Sequence, residues 1–173
     1  MQSISRGLTV LAGVMLLGAA LAYADGAGSP APVRSDDGEY FDKGGTPTFS
    51  IAKDGTADWY TYSGYIRYTA NCMQCHGPAG LGSSFGPSLV DTLKSMSYTD
   101  FLTIVANGKK DVNAAEDLVM PSFGTNPNVM CYTDPIYIYL RARSDAAIGP
   151  QRPDKHAPVP NAFTKAEDAC MGS

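Results

Sequence analysis

The chain has 173 residues, 44% of them apolar, with 18 glycines and 12 prolines; this suits one compact domain with turn-rich extensions and excludes wholesale disorder. Its 17 acidic residues outnumber its 13 basic ones, for a formal net charge of −4. That balance argues against nucleic acid or an anionic membrane as partner and for a protein with a basic docking patch.

Residues 1–24 read as a secretory signal. Arg6 supplies the positive start, the stretch from Gly7 to Leu21 is apolar apart from Thr9, and Ala22-Tyr23-Ala24 forms the cleavage site. The apolar run is short against the roughly 20 residues of a membrane span, so cleavage after Ala24 and a periplasmic location without a membrane anchor are expected. Residues 25–58, polar and rich in Gly, Pro and Asp, read as an extended N-terminal arm. Phe41, Phe49 and Ile51 are available to tack it down. Asp36, Asp37, Glu39 and Asp42 form either a docking patch or simply a solvated face.

The pattern turns helical at Trp59. Tyr60, Ser63, Gly64, Arg67, Tyr68 and Asn71 recur at spacings of three and four, and the helix runs into Cys72. Gly77 to Gly86 reads as loop. Ser97-Tyr98-Thr99-Asp100 resembles a capping box; it opens a helix carrying Phe101, Leu102, Ile104 and Val105, which Asn107-Gly108 closes. Lys109 to Asp117 reads as a polar loop. A last helix follows Asp134-Pro135, with Ile136, Tyr139 and Leu140 as its buried stripe and Arg141 and Arg143 favourably placed at its C-terminal end. Residues 59–145 form the domain. Residues 146–173 form a tail whose four prolines from Gly149 onward predict largely irregular chain.

Cys72-Met73-Gln74-Cys75-His76 is a C-x-x-C-H motif. Two thiols at this spacing can reach both vinyl groups on one haem edge, and the adjacent histidine then lies beneath the iron. A thioredoxin-like redox pair would want a strand before the motif. A zinc site would need further ligands, and only His156, Cys131 and Cys170 remain. One covalent haem c, ligated by His76, is therefore expected. Met120, in Met120-Pro121-Ser122-Phe123, is the candidate second axial ligand; a thioether there favours reduced iron. Met130, His156 and an open site stand as alternatives, and an open site would suit a gas-binding or peroxidatic haem protein. Met96 reads as a packing residue. Cys131 and Cys170, in an exported chain, read as a disulfide stapling the tail to the last helix, with free thiols or an intermolecular bridge as rivals.

With these residues in place, the chain resembles the class I cytochromes c. Gly64 and Tyr68 precede the haem motif at the family's spacings, Tyr139 matches the aromatic of the facing helix, and Gly86-Pro87 and Met120-Pro121 match the two ligand loops. The resemblance implies an all-α fold around one haem, with the Pro87 carbonyl holding the second ring nitrogen of His76. A narrower resemblance lies in Asp58-Trp59-Tyr60-Thr61-Tyr62-Ser63-Gly64-Tyr65 and in the string from Met120 to Tyr132, which look like the four-cysteine cytochromes of methanol metabolism related to cytochrome c-L. That likeness implies a monomeric electron-transfer protein rather than an enzyme. Its donor would be a pyrroloquinoline-quinone methanol dehydrogenase, often the lanthanide type, and its acceptor a downstream cytochrome c or oxidase. The alternative is a general respiratory carrier.

Overall fold

Two helices that cross at a glycine set the frame. In the computed structural model, which describes residues 28–112 and 117–172, helix α1 spans Trp59–Asn71 and helix α6 spans Thr133–Ser144. A Cβ on Gly64 would lie 1.8 Å from the Pro135 carbonyl oxygen, so no other residue allows the two backbones to approach this closely. Tyr68 and Tyr139 then meet with ring centroids 5.5 Å apart, as the family resemblance implies.

Between them in the chain come α2 (Met73–His76), a 3₁₀ turn (Pro78–Gly80), α3 (Leu89–Thr92), α4 (Tyr98–Asn107), the strands β4 (Lys109–Val112) and β5 (Asp117–Met120), and α5 (Pro127–Met130). Before α1 lie β1 (Arg34–Asp36), β2 (Glu39–Phe41) and β3 (Pro47–Thr48), and α7 (Asn161–Met171) ends the chain. The fold is mostly helical, as expected, and adds small strands that the sequence reading did not include. The signal segment lies outside the described residues.

Helix α1 starts where predicted because Asp58 caps it, accepting from Thr61 N–H at 2.8 Å and Thr61 Oγ1 at 2.6 Å. The same carboxylate accepts from Ser50 N–H at 2.8 Å, tying the arm to the helix start. Ser97 caps α4 by accepting from Asp100 N–H at 3.0 Å. Its hydroxyl donates back to the Asp100 carboxylate at 2.9 Å, so the shorter acid closes the box through the hydroxyl rather than the backbone.

Four expectations change. The arm is not simply extended: β1, β2 and β3 form an antiparallel meander, turned by Asp37-Gly38, both at positive φ. Two of its acids are occupied, since Asp42 is buried and accepts from Gly44 and Thr46 N–H and Asp37 accepts from Ala162 N–H. The segment from Lys109 is an antiparallel hairpin, with Lys109 opposite Met120 and Asp111 opposite Leu118. The tail is irregular only to Pro160, and α7 follows.

Helix α6 is buried all round from Pro135 to Arg143 rather than along one stripe, because α1, α3 and β3 all pack on it. Arg141 and Arg143 are therefore buried and bonded to distant carbonyls. Arg141 donates to Gly28 O at 2.7 Å and Leu93 O at 3.4 Å and pairs with Asp145 at 2.7 Å. Arg143 donates to Ile148 O at 2.7 Å and Ala79 O at 3.2 Å. Both buried guanidiniums are thereby matched by oxygens.

The tail is fastened at several points. Cys131 and Cys170 form a disulfide. Arg67 pairs with Glu167 at 3.0 Å. Ala57 bridges to His156, and Trp59 packs against His156 and Phe163; the tryptophan thus anchors the tail.

Candidate haem site

The C-x-x-C-H motif lies at the end of α1, as read from the sequence. Cys72 caps α1, its N–H donating to Tyr68 O at 2.8 Å, and α2 carries Cys75 and His76 round one further turn. Gly77 then breaks the helix at φ 72°, and a Cβ there would lie 2.2 Å from Gly82 O. Tyr68 Oη donates to Gly77 O at 2.6 Å and locks the turn to α1. Sequence reasoning gave Tyr68 only a packing role, so this bond was missed.

His76 is buried, and its Nδ1 lies 3.0 Å from the Pro87 carbonyl oxygen. A carbonyl can only accept, so the proton resides on Nδ1 and the Nε2 lone pair is left free. Gly86 makes this approach possible: a Cβ on it would lie 3.1 Å from His76 Nδ1 and 3.0 Å from Cys75 O.

Met120 sits at the end of β5, a more ordered position than the loop expected. The segment after it is strapped to the end of α4. Phe123 N–H donates to Val105 O at 3.0 Å, Gly124 N–H to Ala106 O at 3.0 Å, and Ser122 Oγ to Ala106 O at 2.6 Å. Gly108 and Gly124 permit this contact, since Cβ atoms there would lie 2.6 Å from Met120 O and 2.8 Å from Ala106 O respectively. In the sequence Gly108 signalled only a helix stop.

Cys72, Cys75, His76, Pro87 and Met120 all line one crevice of about 440 Å³. Its walls are apolar, built from Phe101, Ile104 and Val105 of α4, Ile136 and Leu140 of α6, and Leu118 and Val119 of the hairpin. Among the described residues, the ionisable lining side chains apart from His76 are Lys109, Asp111 and the two thiols. Among the described residues, Met96 and Met120 are the lining methionines. Met130 lies instead on a separate cavity beside the disulfide, and His156 stacks on Tyr62. Burial, with a smaller contribution from Cys75, pushes the Cys72 thiol up to about 12, the reverse of the lowered pKa that a redox or metal-binding thiolate needs. An apolar slot of this size, with paired thiols and one oriented imidazole, fits a covalently attached haem.

Comparison with known proteins agrees. Residues 61–132 match the family described as cytochrome C oxidase, cbb3-type, subunit III. Cytochrome c-555 of Methylococcus capsulatus is 33% identical over 103 residues, covering 59% of this chain and 74% of that protein. The chain belongs to the class I c-type cytochromes. This c-type cytochrome carries one covalent haem c. Its fold is that of the c-type cytochrome XoxG from Methylobacterium extorquens AM1, with a TM-score of 0.76 at 47% identity, covering 82% of this chain and 86% of that one. Cytochrome c-553I of Paracoccus denitrificans is 46% identical over 140 residues, 81% of this chain; the chain spans 62% of that relative's length. Together these relatives put the cytochrome in the methanol-metabolism group that its sequence strings resemble.

Proposed function

We propose that this cytochrome is a periplasmic one-electron carrier, exported by cleavage after Ala24, monomeric and without catalysis of its own. Cys72 and Cys75 would bond the haem covalently, and His76 and Met120 would hold its iron. Pro87 holds His76 in the tautomer that presents Nε2 to the metal. The bound haem supplies a one-electron couple, and a thioether ligand favours its reduced state. The observation that carries this reading is the crevice lined by both thiols, the oriented imidazole and Met120 together. The chain's part is to keep the slot apolar and both ligand loops fixed, so that little rearranges when an electron arrives. Among the described residues no helix is long and apolar enough to cross a membrane.

The donor we propose is a pyrroloquinoline-quinone methanol dehydrogenase of the lanthanide type, with electrons passing on to a downstream cytochrome c or oxidase. What supports this is the likeness of the Asp58–Tyr65 and Met120–Tyr132 strings to cytochromes of methanol metabolism. The family match to an oxidase subunit favours a second reading, a general respiratory carrier. Mixing the holoprotein with the quinoprotein and methanol, and following haem reduction, separates them. Reduction at only the rate seen with a generic cytochrome c would sink the methanol assignment.

A further inference from the structure

Behind the haem crevice lies a second cavity, of about 240 Å³, and the two share Thr133 as a wall. Thr133 is buried, its hydroxyl donating to Met130 O at 3.2 Å, so at that point one side chain separates the two spaces. The next turn of α6 is set edge-on between them, with Pro135 on the cavity and Ile136 on the crevice. The cavity is bordered by the carboxyls of Glu39 and Asp134. Asp134 has a donor in Tyr98 Oη. Glu39 Oε1 has none: it is buried without a hydrogen-bond partner among the described residues. The groups facing Glu39 are mostly of its own sign. Asp134 comes from α6, Asp36 from β1 and Asp58 from the cap of α1, while the phenols of Tyr60 and Tyr98 feel it from α1 and α4. Glu167 of α7 borders the same cavity but is paired with Arg67. The facing cation, Arg34, lies over the Phe41 ring at 3.9 Å. Among the described residues the acids do not group closely enough to hold a metal ion. A carboxyl with an orphaned buried oxygen and three acids about it settles its charge by taking a proton. Burial, then Asp134 and Asp36, accordingly raises Glu39 to about 7, where its charge is most easily tipped.

We propose that Glu39 takes up a proton when the haem is reduced and releases it when the haem is oxidised, so that this cytochrome moves part of a proton with each electron. This rests on the carrier reading above and adds a proton to it. An electron from the redox partner turns Fe(III) into Fe(II) and removes one positive charge from the crevice. A proton from water turns the Glu39 carboxylate into the neutral acid. The acceptor withdraws the electron and water recovers the proton; no other bond forms or breaks. A unit charge lost across so thin a wall raises a carboxyl's proton affinity on the order of three- to tenfold. The cavity has room for the water that brings the proton in. The coupling is reciprocal, so protonation of Glu39 raises the affinity of the iron for its electron by the same factor. The reduction potential therefore falls as pH rises between the Glu39 pKa of the ferric state and the higher one of the ferrous state.

The test measures the reduction potential of wild-type, Glu39→Gln and Asp134→Asn holoproteins from pH 5 to 9, together with reduced-minus-oxidised infrared spectra in the carboxylic-acid region. The wild-type potential is expected to be level at acid pH, to fall near neutrality and to level again, and reduction is expected to bring up a carboxylic-acid carbonyl band. Glu39→Gln should remove both the fall and the band. Asp134→Asn should keep the fall but move it to lower pH, because one like charge has gone. A wild-type potential independent of pH overturns the proposal. So does a fall of unchanged position and depth in Glu39→Gln, which would assign the proton to a haem propionate. If Glu39→Gln loses its methionine charge-transfer band, Asp134→Asn decides: a displaced fall upholds the proposal and an unmoved one overturns it. Failure of the carrier reading shows separately, as carbon monoxide binding to the ferrous wild type, and the pH profile of the potential still judges Glu39.

Discussion

The two walls of the haem crevice are built in different ways. The histidine wall is local: Cys72, Cys75, His76 and Pro87 fall within sixteen residues of chain, tied by Tyr68 Oη to Gly77 O and by His76 Nδ1 to Pro87 O. The methionine wall is borrowed. Met120 arrives on a hairpin whose far strand begins at Lys109, and its position depends on backbone bonds from Phe123 and Gly124 to the end of α4. Local ties persist when the rest of the molecule loosens, whereas a strapped hairpin depends on its strap. The methionine wall should therefore yield first under heat or mutation.

The largest expected effect lies outside both walls and sets the baseline for the comparison. Replacing Cys131 and Cys170 by serine opens a link of sequence separation 39, a loss of about 4 kcal/mol on chain-entropy grounds. Denaturant unfolding should register that loss, while the haem spectrum at neutral pH stays unchanged; a spectral change would mean that the disulfide supports one wall directly.

Next comes a break aimed at the methionine wall. Gly108 has φ 75° and ψ 177°, a conformation almost confined to glycine, and Gly108→Ala should cost about 3 kcal/mol. The charge-transfer band of methionine-ligated ferric haem should weaken while the thioethers remain. Retention of the full band would refute the dependence of Met120 on this crossing. On the histidine wall, Tyr68→Phe removes one buried hydrogen bond and leaves Gly77 O with the longer bond from Gly80 N–H at 3.4 Å, costing about 1 kcal/mol. The methionine band should survive this change at room temperature.

The smallest effect concerns the arm. Burial, reinforced by Asp134 and Asp36, raises Glu39 to about 7, and its Oε1 is buried without a hydrogen-bond partner among the described residues. The folded state therefore holds this proton more tightly than the unfolded one. Stability associated with Glu39 is full below the unfolded pKa, near 4.5, and is lost as pH rises through about 7. Glu39→Gln should flatten the fall in melting temperature between pH 5 and 8, which a pH series of thermal melts would reveal. A parallel fall in the variant would assign the dependence to Asp58 or Asp134, both also raised by burial.

The difference between the walls is also a difference in what the sequence discloses. The histidine wall was legible because its chemistry is written in consecutive residues and a fixed spacing. The cap at Ser97, the break at Gly108 and the helix from Trp59 were legible for the same reason. The hairpin was not. Lys109-Lys110-Asp111 has no apolar alternation, and its partner strand takes its reason from the crevice rather than from its own pattern. Helix α7 was hidden by the prolines before it and by its scant apolar surface; Phe163 is its buried residue, and a disulfide and an ion pair hold the rest. Asp37-Gly38 carried a readable hairpin signal that the acidity of the arm obscured.

Arg141 gives these contacts an order in time. Its guanidinium reaches Gly28, 113 residues earlier in the chain, and α6 is the surface on which β3 packs. In the export proposed above, a chain crossing a membrane from its N-terminus would deliver the arm long before the helix that receives it. The arm is first to arrive and among the last to settle, and its docking marks the moment when the whole domain has come through.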